Sequence, residues 1–242
     1  MLTIWRRELA SCFLSPVAYT VMIVFMALTG VVFLSAVFLN EGSMESAYTI
    51  LAVSAAICMT LPISAVSMRM FAEEKRSGTL EVLMTAPVTE SAVVLGKYAG
   101  AMSFLIVSLV PVLGYVLALE WLSPAMTLSA SDPGALVGTC VIVLLLCAFL
   151  TSTGLVISLL TSHQAVAGII TLCAVWAMIL AGWIVSVSPV GNMPWVDYIS
   201  ALEHLEIFSR GTVKLGPVVL YVSGTVFMLF AGIRVLESRR WQ

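Results

Sequence analysis

The chain has 242 residues, of which 61% are hydrophobic and 10% charged, with a formal net charge of −2. A mean hydropathy of +1.10 lies far outside the range of a water-soluble globular protein, so lipid must be the solvent for most of its surface. Soluble enzymes are excluded on that ground, and no nucleic-acid partner is expected.

Ahead of the first apolar run, Leu2, Trp5, Leu9 and Phe13 recur at helical spacing, while Arg6, Arg7 and Glu8 fall on the other side. Residues 1–15 are therefore expected to form an amphipathic helix at the membrane interface. Trp5, Arg6, Arg7 and Glu8 make it either a charged anchor for the first span or a secondary surface for a partner. LASC at residues 9–12 looks like a lipoprotein cleavage box, but the apolar run follows the cysteine instead of preceding it. The first span is accordingly expected to stay in the mature protein.

Six apolar runs follow, at residues 16–39, 48–68, 92–119, 135–160, 165–188 and 216–233. Each is about the 20 helical residues needed to cross a hydrocarbon core of roughly 30 Å. Lipid-facing backbone must satisfy its own hydrogen bonds, and these runs do not alternate polar with apolar residues, which predicts helices and not barrel strands. The expected fold is all-α, a single polytopic domain of six transmembrane helices. Basic residues orient it. Arg6, Arg7, Arg69, Lys75, Arg76, Lys97, Arg234, Arg239 and Arg240 fall on one side, and only Arg210 and Lys214 on the other. Positive residues near span ends resist translocation, so both termini, with the tail 234–242, are expected in the cytoplasm.

The outer turns carry acids and no bases, with Glu41 and Glu45 in the first and Asp132 in the second. Spans four and five are joined by little more than residues 161–164, which predicts antiparallel neighbours. Residues 189–215 are too long for a turn and too mixed for a span. Their aromatics among charges suit an interfacial helix, a re-entrant excursion or a loop capping the bundle.

The sharpest feature is the interruption EEKRSGTLEVLMTAPVTE at residues 73–90. Burying Lys or Arg at the bilayer centre would cost about 2.5 to 3.5 kcal/mol each, so this stretch must lie in water or on protein. Thr79 can cap a helix start, Glu81 suits its positive end, and Leu80, Leu83 and Met84 form an apolar stripe. Pro87 stops that helix, and Thr89 caps the next with Glu90 in its first turn. Two turns are too short to be stable alone. The segment is either a peg that docks in a partner's groove or an ordinary charged loop.

Residues 71–100, FAEEKRSGTLEVLMTAPVTESAVVLGKYAG, resemble the segment between spans two and three in the membrane subunits of type-2 ABC exporters. There a charged run, Gly-Thr-Leu-Glu, a Leu-rich turn and Pro lead into a Lys-containing start of span three. Within that family the chain resembles the small permeases associated with gliding motility and, less closely, those of nitrous oxide reductase maturation. HLEIFSRGTVKLG at residues 204–216 is similar to a stretch those permeases carry, which singles out Glu203, His204, Phe208, Arg210 and Gly211 in the outer segment. The resemblance implies residence in a bacterial cytoplasmic membrane, in a complex of two permease copies and two ATPase subunits, with ATP and magnesium bound by the ATPase. It makes residues 72–91 a cytoplasmic coupling segment, with Glu73, Glu74, Lys75, Arg76, Gly78, Thr79, Leu80, Glu81, Leu83 and Met84 as the ATPase-docking residues. The alternative is a non-transporting anchor that transmits ATPase-driven force to a motility, secretion or maturation complex.

No catalytic, cofactor or metal site is expected in the chain itself. GxxxxGK[ST], which cradles nucleotide phosphates with backbone N–H groups, does not occur. Cys12, Cys58, Cys140, Cys147 and Cys173 have no CxxC spacing and read as small apolar residues. His163 and His204 stand apart from any second ligand, and the thirteen methionines form no loop cluster, so core filling accounts for them. No ionisable residue is expected deep in a span, which argues against a proton relay and mildly favours lipid-like, polymeric or peptide-like cargo. Gly96, Gly100 and Ala101 make span three eligible for close contact with a second copy.

Overall fold

The computed structural model describes residues 2–39, 44–79, 89–122, 133–187 and 200–239, and every regular element among them is helical. Helix α1 (Leu2–Phe13) precedes the first pass, α2 (Pro16–Leu39). Pro16 can open α2 because its missing N–H falls among first-turn donors that have no intrahelical partner anyway.

The second pass is built in pieces: α3 (Met44–Cys58), α4 (Thr60–Ser67), a π-helical turn (Met68–Ala72) and α5 (Glu73–Arg76). Pro62 causes the break after Cys58, since it has no N–H to give the Cys58 carbonyl. The neighbouring Thr60 hydroxyl turns back onto the Ile57 carbonyl at 2.8 Å. Together these pieces make a rod of 30 residues, Ala47–Arg76. At 1.5 Å per residue that is about 45 Å, longer than the roughly 30 Å of hydrocarbon, so the charged last turns project beyond the lipid.

The remaining elements are α6 (Glu90–Leu122), α7 (Pro133–Leu160), α8 (Gln164–Val187), α9 (Ala201–Ser209) and α10 (Leu215–Arg239). Thr89 starts α6 as its cap, its hydroxyl accepting the Ala92 N–H at 3.4 Å. Among the described residues, six helical stretches are long and apolar enough to cross a membrane. The passes run antiparallel, so one end of the bundle gathers α1, α5, the start of α6, the end of α7 and the end of α10. That end carries Arg7, Arg69, Lys75, Lys97 and Arg234 and is called here the basic end.

Helix α7 is the axis of the bundle, packed against α3, α4, α6, α8, α9 and most extensively α10. Leu146, Leu150, Leu155 and Leu159 bury its apolar face. Small and hydroxylic residues bring α4 and α8 against it, with the Ser67 hydroxyl donating to Thr171 Oγ1 at 3.1 Å beside Gly154. The faces of α2, α8 and α10 that point away from this core carry exposed Ile23, Val31, Ile169, Trp183, Val226 and Phe227, as lipid-facing surfaces should.

Candidate functional site: a charge cluster at the basic end

Helix α5 ends on Gly78, whose φ of +71° is a left-handed conformation that favours a residue without Cβ. Its N–H bonds the Lys75 carbonyl at 3.3 Å, while Ser77 N–H bonds that of Glu73 at 3.0 Å. The four charges of EEKR thus occupy one helical turn with a fixed exit, and Glu73, Glu74 and Lys75 each meet a different neighbour.

Glu73 pairs with Arg69 one turn back, at 3.3 Å. Glu74 turns inward, its Oε1 lying 3.0 Å from Lys97 Nζ and 2.9 Å from Arg7 Nη2. Lys97 also donates to Glu8 Oε1 at 2.9 Å, and Arg7 reaches Glu8 at 3.2 Å. Four charges from α1, α5 and α6 therefore form one neutral network. The Lys97 side chain is only 1% exposed, whereas Arg7 is 57% exposed. An ammonium withdrawn that far from water is held by both carboxylates, and leaving a buried charge without its partner costs about 3–5 kcal/mol. The ring of Phe71, its centroid 5.1 Å from Nζ, supplies further negative potential.

Lys75 points to the opposite side. Its ammonium donates to the carbonyls of Leu159 and Thr161, the latter at 3.1 Å. The last carbonyls of α7 have no intrahelical donors and form the negative end of its dipole, so a lysine is the natural cap. One turn earlier, the Ser158 hydroxyl accepts the N–H groups of both Phe71 and Ala72, each at 3.0 Å. A π-helical turn displaces backbone donors from their usual acceptors, and here a side chain of α7 takes up two of them.

Helix α1 lies across α6 over Gly100. A Cβ on that glycine would sit 2.7 Å from Glu8 Cβ, so only glycine permits this approach. Trp5 secures it, donating from Nε1 to Ser103 Oγ at 3.0 Å. Between α1, the π-helical turn and α5 lies a cleft of about 290 Å³, whose walls include Arg7, Glu8, Arg69, Glu73, Lys97 and Thr79. Cys12 is also on its wall, and burial pushes that thiol up from its ordinary value, against a smaller opposing pull from Arg69.

The residues singled out in the sequence divide by orientation. Glu8, Glu74 and Trp5 face inward, while Arg6, Arg7, Glu73 and Arg76 face outward. Lys75 is half-buried against α7. The Thr79 hydroxyl lies 2.8 Å from that of Ser77 and 3.4 Å from the Glu74 carbonyl. Leu80, Glu81, Leu83 and Met84, the stripe expected to dock, lie outside the described residues. Gly100 and Ala101 are buried beneath α1, so the small-residue face considered for a second copy is already occupied within the chain. Sequence reasoning used Lys97 only to orient the spans and within the family motif, and read Ser158 only as one of the span-four hydroxyls able to satisfy a carbonyl or bridge helices. The signal for Lys97 was a lone cation a full two turns inside an apolar helix, with Glu8 available on the polar side of α1.

The outer-segment residues do not join this cluster. Helix α9 packs at the other end of α7, where the Phe208 carbonyl lies directly over Gly138. His204 is buried, its Nδ1 3.0 Å from the Tyr221 hydroxyl of α10, and Thr49 and Ser209 hydroxyls meet at 2.6 Å. Glu203 is half-buried near the capped start of α9, where the Ser200 hydroxyl accepts its N–H at 3.5 Å. Arg210 pairs with Glu206 at 2.6 Å on the exposed side, and Gly211 ends the helix with φ +76°. These contacts make α9 a plug tied to α3, α7 and α10. Among the described residues, no three of His, Cys, Asp and Glu gather as a metal set.

The family model described as ABC-2 type transporter matches residues 1–212, a stretch that includes α1, the charge cluster and α9. A comparison with curated proteins returns no match. A match over 212 of 242 residues, on an all-helical chain with six membrane-length helices, shows that the chain belongs to the ABC-2 type transporter family.

Proposed function

We propose that this permease component is the membrane half of an ATP-driven exporter, and that residues 73–90 are where its ATPase subunit docks. In this reading the basic end faces the cytoplasm of a bacterial cell and the charged rod end of the second pass stands clear of the inner membrane. Two permease copies and two ATPase subunits form the complex, with ATP and magnesium held by the ATPase. The chain supplies no nucleotide chemistry. It supplies a lever.

The observation that carries the reading is how the approach to the docking segment is fastened. Lys75 and Ser158 bind it to the end of α7, and Glu74 binds it through Lys97 to α6 and α1. A loop that only joined two spans would have no need of ties to three helices. Differential contact with a partner that closes on ATP can then bias the whole bundle between two arrangements, because packed helices shift as units and do not deform continuously.

The docking step is tested by Leu80→Asp combined with Leu83→Asp. Loss of co-purification with the ATPase subunit is expected, with membrane insertion intact, and normal co-purification would remove the docking assignment. Transport is tested with the complex in sealed vesicles, using a fluorescent phospholipid as a first cargo probe. ATP-dependent movement of the probe supports the exporter. Hydrolysis with no movement of phospholipid, peptide or glycan probes favours the force-transmitting anchor.

A further inference from the structure

We propose that Lys97 is the positioning residue that turns the two ends of the docking segment and helix α1 into one rigid base, so that a push on the segment reaches span three directly. The inference rests on the docking assignment above and adds the route by which motion leaves it.

Chain order supplies the first part of the argument. Glu74 stands at the start of the docking segment and Lys97 follows its end, so their 3.0 Å contact staples the base of the loop shut. A loop whose ends are joined moves its base as a body when its tip is pushed. The second part is convergence. Glu8 and Glu74 both present Oε1 to the same ammonium, at 2.9 and 3.0 Å. Without Lys97 these carboxylates would repel each other, and only Arg7 would draw α1 toward α5. Arg7 also bridges the two, but at 57% exposure its contribution is screened by water. Lys97, 1% exposed, is not screened.

The third part is the shape of α6. Lys97, Gly100 and Ala101 are related by i, i+3 and i, i+4 spacing, so the charge and the small residues share one face. Gly100 admits α1 close enough for Glu8 to reach inward, and the Trp5–Ser103 bond holds the helix three residues further along. Charge and steric fit on α6 thus select the same partner.

A buried ion network is weak evidence for stability, because apolar or neutral replacement of every member is often harmless while removal of one is not. That asymmetry separates positioning from mere stabilisation. The test uses the complex of permease and ATPase in nanodiscs, trapped with ATP and vanadate, and reads amide hydrogen exchange in α1 and in the first turns of α6. In the wild type, trapping is expected to change exchange in both helices together with the docking segment.

In the double variant Lys97→Met, Glu8→Gln, which leaves Glu74 paired with Arg7, the unfolding midpoint and ATPase co-purification are expected to stay near wild type, while the change in α1 and α6 is lost. The charge-swapped pair Glu8→Lys with Lys97→Glu again sets two carboxylates around one ammonium and is expected to regain the change. A double variant that transmits like the wild type overturns the proposal, as does a charge-swapped pair that does not transmit. Loss of ATPase co-purification in the double variant also overturns it, because Lys97 and Glu8 would then belong to the docking contact. Failure of the docking assignment itself is read separately, from the Leu80→Asp, Leu83→Asp variant still binding the ATPase.

Discussion

Replacing Ser158 with alanine deletes one oxygen that accepts from two backbone amides. The Phe71 and Ala72 N–H groups both donate to Ser158 Oγ at 3.0 Å, and both residues are completely buried. A typical buried hydrogen bond contributes about 0.5–1.5 kcal/mol net, so losing the pair sets an expected loss of about 1–3 kcal/mol. Ser152 is the internal control. It lies on the same helix and is as buried as Ser158, but its hydroxyl only donates to the Phe149 carbonyl of its own helix at 2.7 Å. Ser152→Ala removes the same atom and strands no donor, so its cost should be under about 1 kcal/mol. The assay is the unfolding midpoint of both variants in detergent at one scan rate, with hydrogen exchange at Phe71 and Ala72 as the local readout. Ser158→Ala should unfold at lower temperature and exchange these two amides faster. Equal midpoints for the two variants, with the amides still protected, would refute the claim that α7 holds the π-helical turn in place.

Other substitutions probe the remaining contacts. Gly100→Ala gains about 1 kcal/mol of helix propensity but forces a Cβ to 2.7 Å from Glu8 Cβ, and overpacking of that kind costs about 1–3 kcal/mol. The net effect should be a loosened α1, seen as a red shift of Trp5 emission in a variant whose other tryptophans are replaced; unchanged emission would count against close packing of α1 on α6. Thr139→Val should leave stability unchanged or raise it by about 1 kcal/mol, because the buried Thr139 hydroxyl has no hydrogen-bond partner, and a lower unfolding midpoint would contradict this. The Cys12 thiol, raised by burial above its usual 9.0, favours its neutral form at pH 7–8. Its maleimide reaction in the folded protein should therefore be slower than in the unfolded chain and rise only at higher pH, and superimposable pH profiles would refute the burial of that sulfur.

Much of the architecture was legible because lipid imposes few options. A run such as residues 135–160 can be only a buried or membrane helix, and six such runs predict the all-helical bundle with six membrane-length helices that the structure has. The family was legible as well, since residues 71–100 keep charged run, Gly-Thr-Leu-Glu, Pro and Lys in one order. Local capping could also be read, as Thr89 before Glu90 illustrates, because a cap involves residues three apart.

Orientation within the charged stretch was not legible. EEKR gives four adjacent charges, and nothing in their order says that Glu74 would face Lys97 while Lys75 faced the end of α7. Successive helical residues point about 100° apart, so which of them meets a partner depends on how the rod is rotated. Here a π-helical turn, itself invisible to periodicity, and the Ser158 hydroxyl of a helix more than 80 residues away hold that rotation.

Hydropathy and a short ordered motif thus pointed, with no structure in hand, to an all-helical permease of the ABC-2 family with six membrane-length helices. Each of those signals is local to a segment and set by its solvent. The tertiary structure decided that Lys97 is the hub, that Gly100 belongs to α1 and not to a second copy, and that α9 is held by hydroxyls and His204. Those outcomes depend on which faces of separate helices meet, and meeting is a property of packing in three dimensions that no one-dimensional pattern records.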